Sequence, residues 1–287
     1  MPVASDIKTH YIDSAIQLHN IHSCVYESQF LPVGSPGFPP DVAPVTYCYH
    51  KIVELQTELW RLCILTKPHP YGEDLRYYLP FTEGRSLVTA DHSGHNPEAI
   101  IHGASWDAGK FGRGYSLRFD GQDDYVQCRV TKPFTTSTIT IAVWCLATEW
   151  IGPNRDARII SRATSSAVND VHLMLSGVAD GDATRLRGRL KTGGTTHEVI
   201  ASDSQLQLDT WYFAAMTYDG SRLRLYQDNL LVADSEATGE VVVDNAIPMW
   251  VGANPDTSKF WKGNIDSVQI FSLALSPTYI AEMSKRQ

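Results

Sequence analysis

The chain has 287 residues, of which 43% are hydrophobic and 10% aromatic, enough to close a sizeable core in one large domain or in one domain with a smaller appendage. A formal net charge of −8, with no block of five or more like charges, excludes the concentrated basic face that a nucleic-acid backbone requires. No stretch of 18 uninterrupted apolar residues occurs, so no membrane-spanning helix is expected. The five cysteines (Cys24, Cys48, Cys63, Cys128 and Cys145) are odd in number and lack CxxC spacing, which argues against a disulfide framework and against a zinc site.

The opening residues, Met1 to Lys8, carry neither a basic n-region nor an apolar h-region, so no secretory leader is expected. Between Asp6 and Ile21, the residues Ile7, Tyr11, Ile12, Ala15 and Ile16 form a helical stripe, with Ser5 placed to cap it. His19 and His22, three apart on that helix, are read as polar surface rather than metal ligands. Leu31 to Pro44 is an irregular, proline-rich connector. From Tyr49 to Leu65 the apolar spacing is mostly helical, with a strand reading open at its ends, and Pro68 and Pro70 close the segment. Residues 1–77 are therefore expected to be a partly helical segment whose apolar stripes need a surface to cover them. That surface could belong to the remaining domain, a second copy of the chain, or the structural proteins of an assembly.

From about residue 78 to the end, strand-like runs alternate with turn signals, the pattern of an antiparallel sandwich. Thr138 to Leu146 is apolar on both parities, as in a central strand covered on both faces, and Cys145 within it reads as a small buried hydrophobe. Strands follow at Arg158–Ser161, Val171–Leu175 and Arg185–Leu190. In the last of these Arg185, Arg187 and Arg189 alternate with Leu186, Gly188 and Leu190, which predicts one solvated basic face. Trp211 to Tyr218 leads into a turn at Asp219-Gly220, Arg222 to Tyr226 into a second at Asp228-Asn229, and Leu230 to Ala233 returns. Met249–Gly252 and Ile265–Phe271 complete the strands, and Ser276-Pro277 opens a short terminal helix with serine as cap and proline at the first helical position.

Four blocks in this region resemble, in the right order, the laminin-G-like (concanavalin-A-like) jelly-roll family. They are Phe81 to Gly84 with the loop Asp91-His-Ser-Gly-His-Asn96; Lys110 to Val126; Asp209 to Gly220 with Leu223 to Tyr226; and Gly263 to Phe271 with Ala274 to Pro277. The resemblance implies a mainly β fold, a jelly-roll sandwich over residues 78–287, and does not extend to the first 75 residues. It also implies a structural calcium ion at Asp91, Asn96 and Asp266, loop carboxylates and an amide being suitable oxygen ligands for a hard cation. The competing reading of the same residues is an Asx turn at Asp91 and a strand-edge acceptor at Asp266. Asp120, Asp123 and Asp124 read as a turn.

Catalytic spacing is missing. No strand carries the alternating carboxylates that glycosidic acid–base chemistry needs, and there is no G-x-S-x-G, H-E-x-x-H or phosphate-cradling glycine loop. His92, His95 and His102 read as turn polarity and His172 as an ordinary strand residue. The chain is therefore expected to be a non-enzyme that recognises a glycan or a surface protein. The ligand-contacting residues are expected among Trp106, Trp150, Asn154, Arg155, Asn254 and Trp261, aromatics for stacking beside polar groups on long loops. Two alternatives stand beside this reading. One is a structural virion component, a capsid decoration or tail-fibre protein anchored through residues 1–77 and forming a homo-oligomer; the other is a divergent polysaccharide-degrading enzyme.

Overall fold

The computed structural model describes residues 72–285 other than Arg113. The helical stripe at 6–21, the proline-rich connector, the helix at 49–65, His19, His22, Cys24, Cys48 and Cys63 lie outside the described residues. Among those described, eighteen strands run in chain order: β1 (Leu75–Leu79), β2 (Val88–Thr89), β3 (Ala99–His102), β4 (Ser105–Ala108), β5 (Tyr115–Asp120) and β6 (Tyr125–Cys128). Then come β7 (Phe134–Thr136), β8 (Ile139–Ala147), β9 (Arg158–Ala163), β10 (Val171–Asp180), β11 (Ala183–Thr192) and β12 (Thr195–Ile200). The last are β13 (Trp211–Tyr218), β14 (Arg222–Gln227), β15 (Leu230–Glu236), β16 (Val241–Val243), β17 (Met249–Val251) and β18 (Lys262–Phe271), followed by helix α1 (Pro277–Met283).

These strands form two antiparallel eight-stranded sheets. The first runs β15-β14-β13-β8-β18-β5-β4 with β1 also paired to β18, the second β12-β11-β10-β9-β17-β6-β3-β2, and β16 and β7 pair separately. The core lies between the sheets and follows the period-2 geometry of strands. Ile139, Ile141, Val143 and Cys145 of β8, with Ala214, Met216 and Tyr218 of β13, meet Leu186 and Leu190 of β11 and Leu173 and Leu175 of β10. The residues between them on β8 and β13 are also buried: Phe213 lies against Trp144 at 5.1 Å on the other face. That is why β8 reads as apolar on both parities. The turn at Asp228-Asn229 is a two-residue connection, with Gln227 opposite Leu230 and Asp228 at φ 57°.

Strand β18 organises the first sheet. One edge pairs with β8 along its length; the other pairs with β5 through Lys262–Ile265 and then with β1 through Val268–Phe271. The change of neighbour falls at a register shift beside Asp266, where Ser267 has φ 51°. The chain then recrosses this sheet: Leu275 donates its N–H to Thr140 Oγ1, and α1, capped by Ser276 as expected, buries Tyr279, Ile280 and Met283.

One expectation is overturned. Arg187 and Arg189 are not on a solvated face: both are buried, in an ion-pair cluster on the outer side of the second sheet. Asp156 accepts from Arg158 and Arg187, Lys259 Nζ lies 3.5 Å from it, and Glu198 on the neighbouring strand β12 accepts from Arg189 Nε at 2.6 Å. Burial holds the Arg158 guanidinium down at about 10, with Asp156 opposing that shift.

Gly263 is the residue on which β18 most depends. It sits at φ 136°, and an added Cβ would lie 2.0 Å from the Leu146 carbonyl oxygen across the sheet. Gly263→Ala is expected to cost about 3 kcal/mol or more in urea unfolding, from backbone strain and overpacking together. A loss under about 1 kcal/mol would contradict this role for the glycine.

Candidate binding loop and the buried acids

Strand β8 ends at Ala147 and β9 begins at Arg158, and the connection between them is tied down at several points. At its start Glu149 pairs with Lys262 at 2.5 Å, and the half-buried Trp150 stands edge-on to Trp261, ring centroids 6.1 Å apart. At its end Asp156 is clamped by the arginine cluster. In between, the Asn154 carbonyl accepts from Ala179 N at 2.8 Å, and Arg155, held at φ 45°, donates from Nη1 to the Asp182 carbonyl at 2.7 Å and to Thr184 Oγ1 at 3.2 Å. The tip from Ile151 to Asn154 is exposed throughout. An apolar residue, a proline and an amide are thus offered to solvent on a loop whose flanks are fixed. Recognition loops on rigid scaffolds have this organisation.

The six residues singled out for ligand contact therefore have different fates. Trp150, Asn154 and Arg155 come together on this loop. Trp106 lies elsewhere, on β4, half-buried between Phe81 and Tyr115 with its Nε1 donating to the Ser86 carbonyl at 2.7 Å. Trp261 is interior at 1% exposure, donating from Nε1 to the Leu146 carbonyl, and Asn254 is interior at 0%, accepting from Ser161 Oγ at 2.7 Å. Neither of these two offers surface to a ligand. Ile151 escaped the sequence reading because it has no polar chemistry to mark it.

Asp91 and Asn96 do meet. Asp91 Oδ1 accepts from Tyr78 N at 2.8 Å, and Oδ2 accepts from Asn96 N and Nδ2 at 2.9 and 3.0 Å. Asn96 reaches further: Nδ2 donates to the Arg76 carbonyl at 3.0 Å and Oδ1 accepts from Thr131 N at 3.0 Å. This is the Asx-type hydrogen-bonding alternative, extended into a clasp across three segments. Asp266 is held by other groups, accepting from Lys110 N at 3.4 Å and Ser267 Oγ at 3.1 Å. Asp120, Asp123 and Asp124 form the expected turn: Asp120 Oδ1 accepts from Gln122 N, and Asp124 Oδ2 from Asp120 N, both at 2.8 Å.

Sequence reasoning gave no role to Lys110, which is buried with its Nζ over the Trp144 ring. Burial lowers it to about 8 against the opposing pull of Asp228 and Asp266. Burial likewise raises Asp266 from 3.8 to about 6, although Ser267 and Lys110 favour its charged form. With its folded value above its unfolded one, Asp266 binds more proton in the native state between pH 4 and 6. Stability is therefore lost as pH rises through that window, by about 2–3 kcal/mol. Asp266→Asn is expected to remove this loss and to unfold at higher denaturant than the parent at pH 7 but not at pH 3.5. A variant with the parent's pH profile would contradict the assignment.

Compared with known proteins, residues 120–281 match the sequence family described as the concanavalin A-like lectin/glucanases superfamily. Solved structures share the fold, among them the following three. Domain 4 of AbnA, a GH43 extracellular arabinanase from Geobacillus stearothermophilus solved with arabinotriose, matches at TM-score 0.56 and 15% identity over 74% of this chain and 98% of that one. The binding domain of Paraclostridial Mosquitocidal Protein 1 matches at TM-score 0.56 and 15% identity over 75% and 52%. The botulinum neurotoxin type G receptor binding domain gives 0.53 and 15% over 74% and 51%, so the chain spans about half of each toxin domain. No curated protein matches the sequence. The family match spans more than half of the chain, and the two-sheet antiparallel sandwich agrees with it: this protein belongs to the concanavalin A-like lectin/glucanases superfamily.

Proposed function

We propose that the sandwich is a non-catalytic binding module that recognises a glycan through the loop between β8 and β9. The observation carrying this reading is the loop itself: the Trp150 ring is fixed against Trp261, Arg155 and Asp156 are pinned, and the tip from Ile151 to Asn154 is exposed. An aromatic edge beside an aliphatic group and an amide suits a sugar, whose C–H face packs on apolar surface while its hydroxyls take hydrogen bonds. Two kinds of fold relative support the reading, the arabinanase domain solved with arabinotriose and the toxin binding domains. The test is an oligosaccharide array followed by calorimetry on the hits. Asn154→Ala and Ile151→Ala, both solvent-facing, are expected to weaken binding about tenfold each, and Trp150→Ala more. An array without hits, or hits indifferent to all three substitutions, would overturn the proposal.

We further propose that the Asp91–Asn96 clasp works without calcium, because the Asp91 oxygens already accept three N–H groups. Asp91→Ala is expected to lower stability by about 2–4 kcal/mol through the unsatisfied donors it leaves. Chelator should leave the melting temperature unchanged. A calcium-dependent rise that Asp91→Asn abolishes would overturn this reading, since an ion bound only to the native state must stabilise it.

A further inference from the structure

The turn between β5 and β6 lies against the loop read above as the saccharide site. Its first glycine, Gly121, has φ 80°, and a Cβ placed on it would lie 2.8 Å from Lys262 Cβ and 3.3 Å from Ile151 Cγ1. The turn and the exposed residue Ile151 are therefore neighbours in space, although 30 positions separate Gly121 from Ile151 in the chain. Lys262 fixes the junction from below. It stands opposite Asp120 in the ladder of β5 and β18, and its ammonium is spent on Glu149, at the base of the loop, at 2.5 Å.

Two of the turn's carboxylates are committed to structure. Asp120 Oδ1 accepts from Gln122 N and Asp124 Oδ2 from Asp120 N, both at 2.8 Å, and Asp124 packs so closely on Gly103 that a Cβ there would fall 1.9 Å from its Oδ1. Gln122 and Asp123 are exposed, and among the described residues neither side chain makes a hydrogen bond or an ion pair. A fixed turn thus offers an amide and a carboxylate to solvent beside the apolar Ile151, a combination suited to sugar hydroxyls and a sugar face. Charge adds a constraint. At the Asn154 end of the tip Asp182 is exposed too, its carbonyl holding Arg155 Nη1. With Lys262 spent on Glu149, the exposed carboxylates of Asp120, Asp123 and Asp182 outweigh the Arg155 guanidinium. Burial raises Asp124 against the opposing Asp120 N–H, and the Asp120 and Asp123 charges raise it further, as expected where negative potential accumulates.

From the contact of Gly121 with Ile151 and the uncommitted side chains beside it, we propose that the β5–β6 turn is the second wall of the saccharide site and restricts it to uncharged saccharides. Gln122 and Asp123 take the hydroxyls of a sugar whose apolar face rests on Ile151 and the Trp150 edge. A carboxylate accepts from neighbouring hydroxyls in charge-assisted hydrogen bonds, and an amide both donates and accepts. The same carboxylates set the ligand class. A uronate or sulfated sugar is repelled within a Debye length of them, about 8 Å at physiological salt, whereas a neutral one is not. This second wall presupposes that the β8–β9 loop binds glycan, and it adds contacts and a ligand class to that site.

The test is an NMR titration of the full chain in chelator, which keeps the carboxylates free of divalent ions. The probes are cellotetraose, galactotetraose and mannotetraose, each beside the uronate made by oxidising its C6 carbons. Saturable shifts are expected with at least one neutral probe, and binding about tenfold weaker with its uronate. Gln122→Ala and Asp123→Ala, both at exposed positions, should each weaken the neutral probe about tenfold. Asp123→Asn, which keeps an acceptor but no charge, should restore most of the neutral affinity and narrow the gap to the uronate. Indifference to both alanine substitutions, with binding still weakened by Ile151→Ala, would overturn the second wall and leave the loop reading standing. Equal affinity for a neutral probe and its uronate would overturn the ligand class. No saturable shift with any probe would overturn the wall and the loop reading together.

Discussion

Strand β18 holds together parts of the chain that are far apart in sequence. Its edge first meets β5 and then, past the bulge beside Asp266, meets β1, so Phe271 stands opposite Leu75. Such distant pairings carry a loop-closure cost that only the finished sandwich recovers. The same junction explains the unusual chemistry around Asp266. A bulge turns a strand residue away from its regular position. Here it leaves a carboxylate buried beside Lys110 rather than facing water.

The two ends of the sandwich follow from this frame in different ways. At one end, β8 and β9 are joined by a loop whose flanks are spent on structure: Trp150 on Trp261, Asp156 on the arginine cluster. What remains free is the tip. At the other end the Asp91–Asn96 clasp fastens β1 to the segment after β6. Buried charge is handled alike at the two ends. The arginines near the loop are neutralised by Asp156 and Glu198, and Arg162 at the other end by Asp244.

Strands whose burial depends on their own alternation were legible in the sequence. Trp211–Tyr218 and the strand starting at Ile139 announce themselves, as do the Ser276 cap and the Asp228-Asn229 turn. The arginine strand was misread because burial there depends on counter-charges supplied from elsewhere: Asp156 is 31 residues from Arg187, and Glu198 sits on the next strand. Loop tryptophans look alike in a sequence, yet Trp261 is interior because the chain at Gly263 is pressed against Leu146, while Trp150 keeps an edge outside. Asn96 was singled out, and its side chain joins the segment at Arg76 to that at Thr131.

The central claim is that this superfamily member recognises sugar without cleaving it. The most direct test is an NMR experiment on the labelled full chain with an array-selected oligosaccharide, following protein amides and sugar anomeric signals in the same tube. The account predicts shifts centred on residues 148–157, with the sugar spectrum constant over days. New anomeric signals from cleaved sugar, or shifts centred on Asp266 and Lys110 instead, would contradict it.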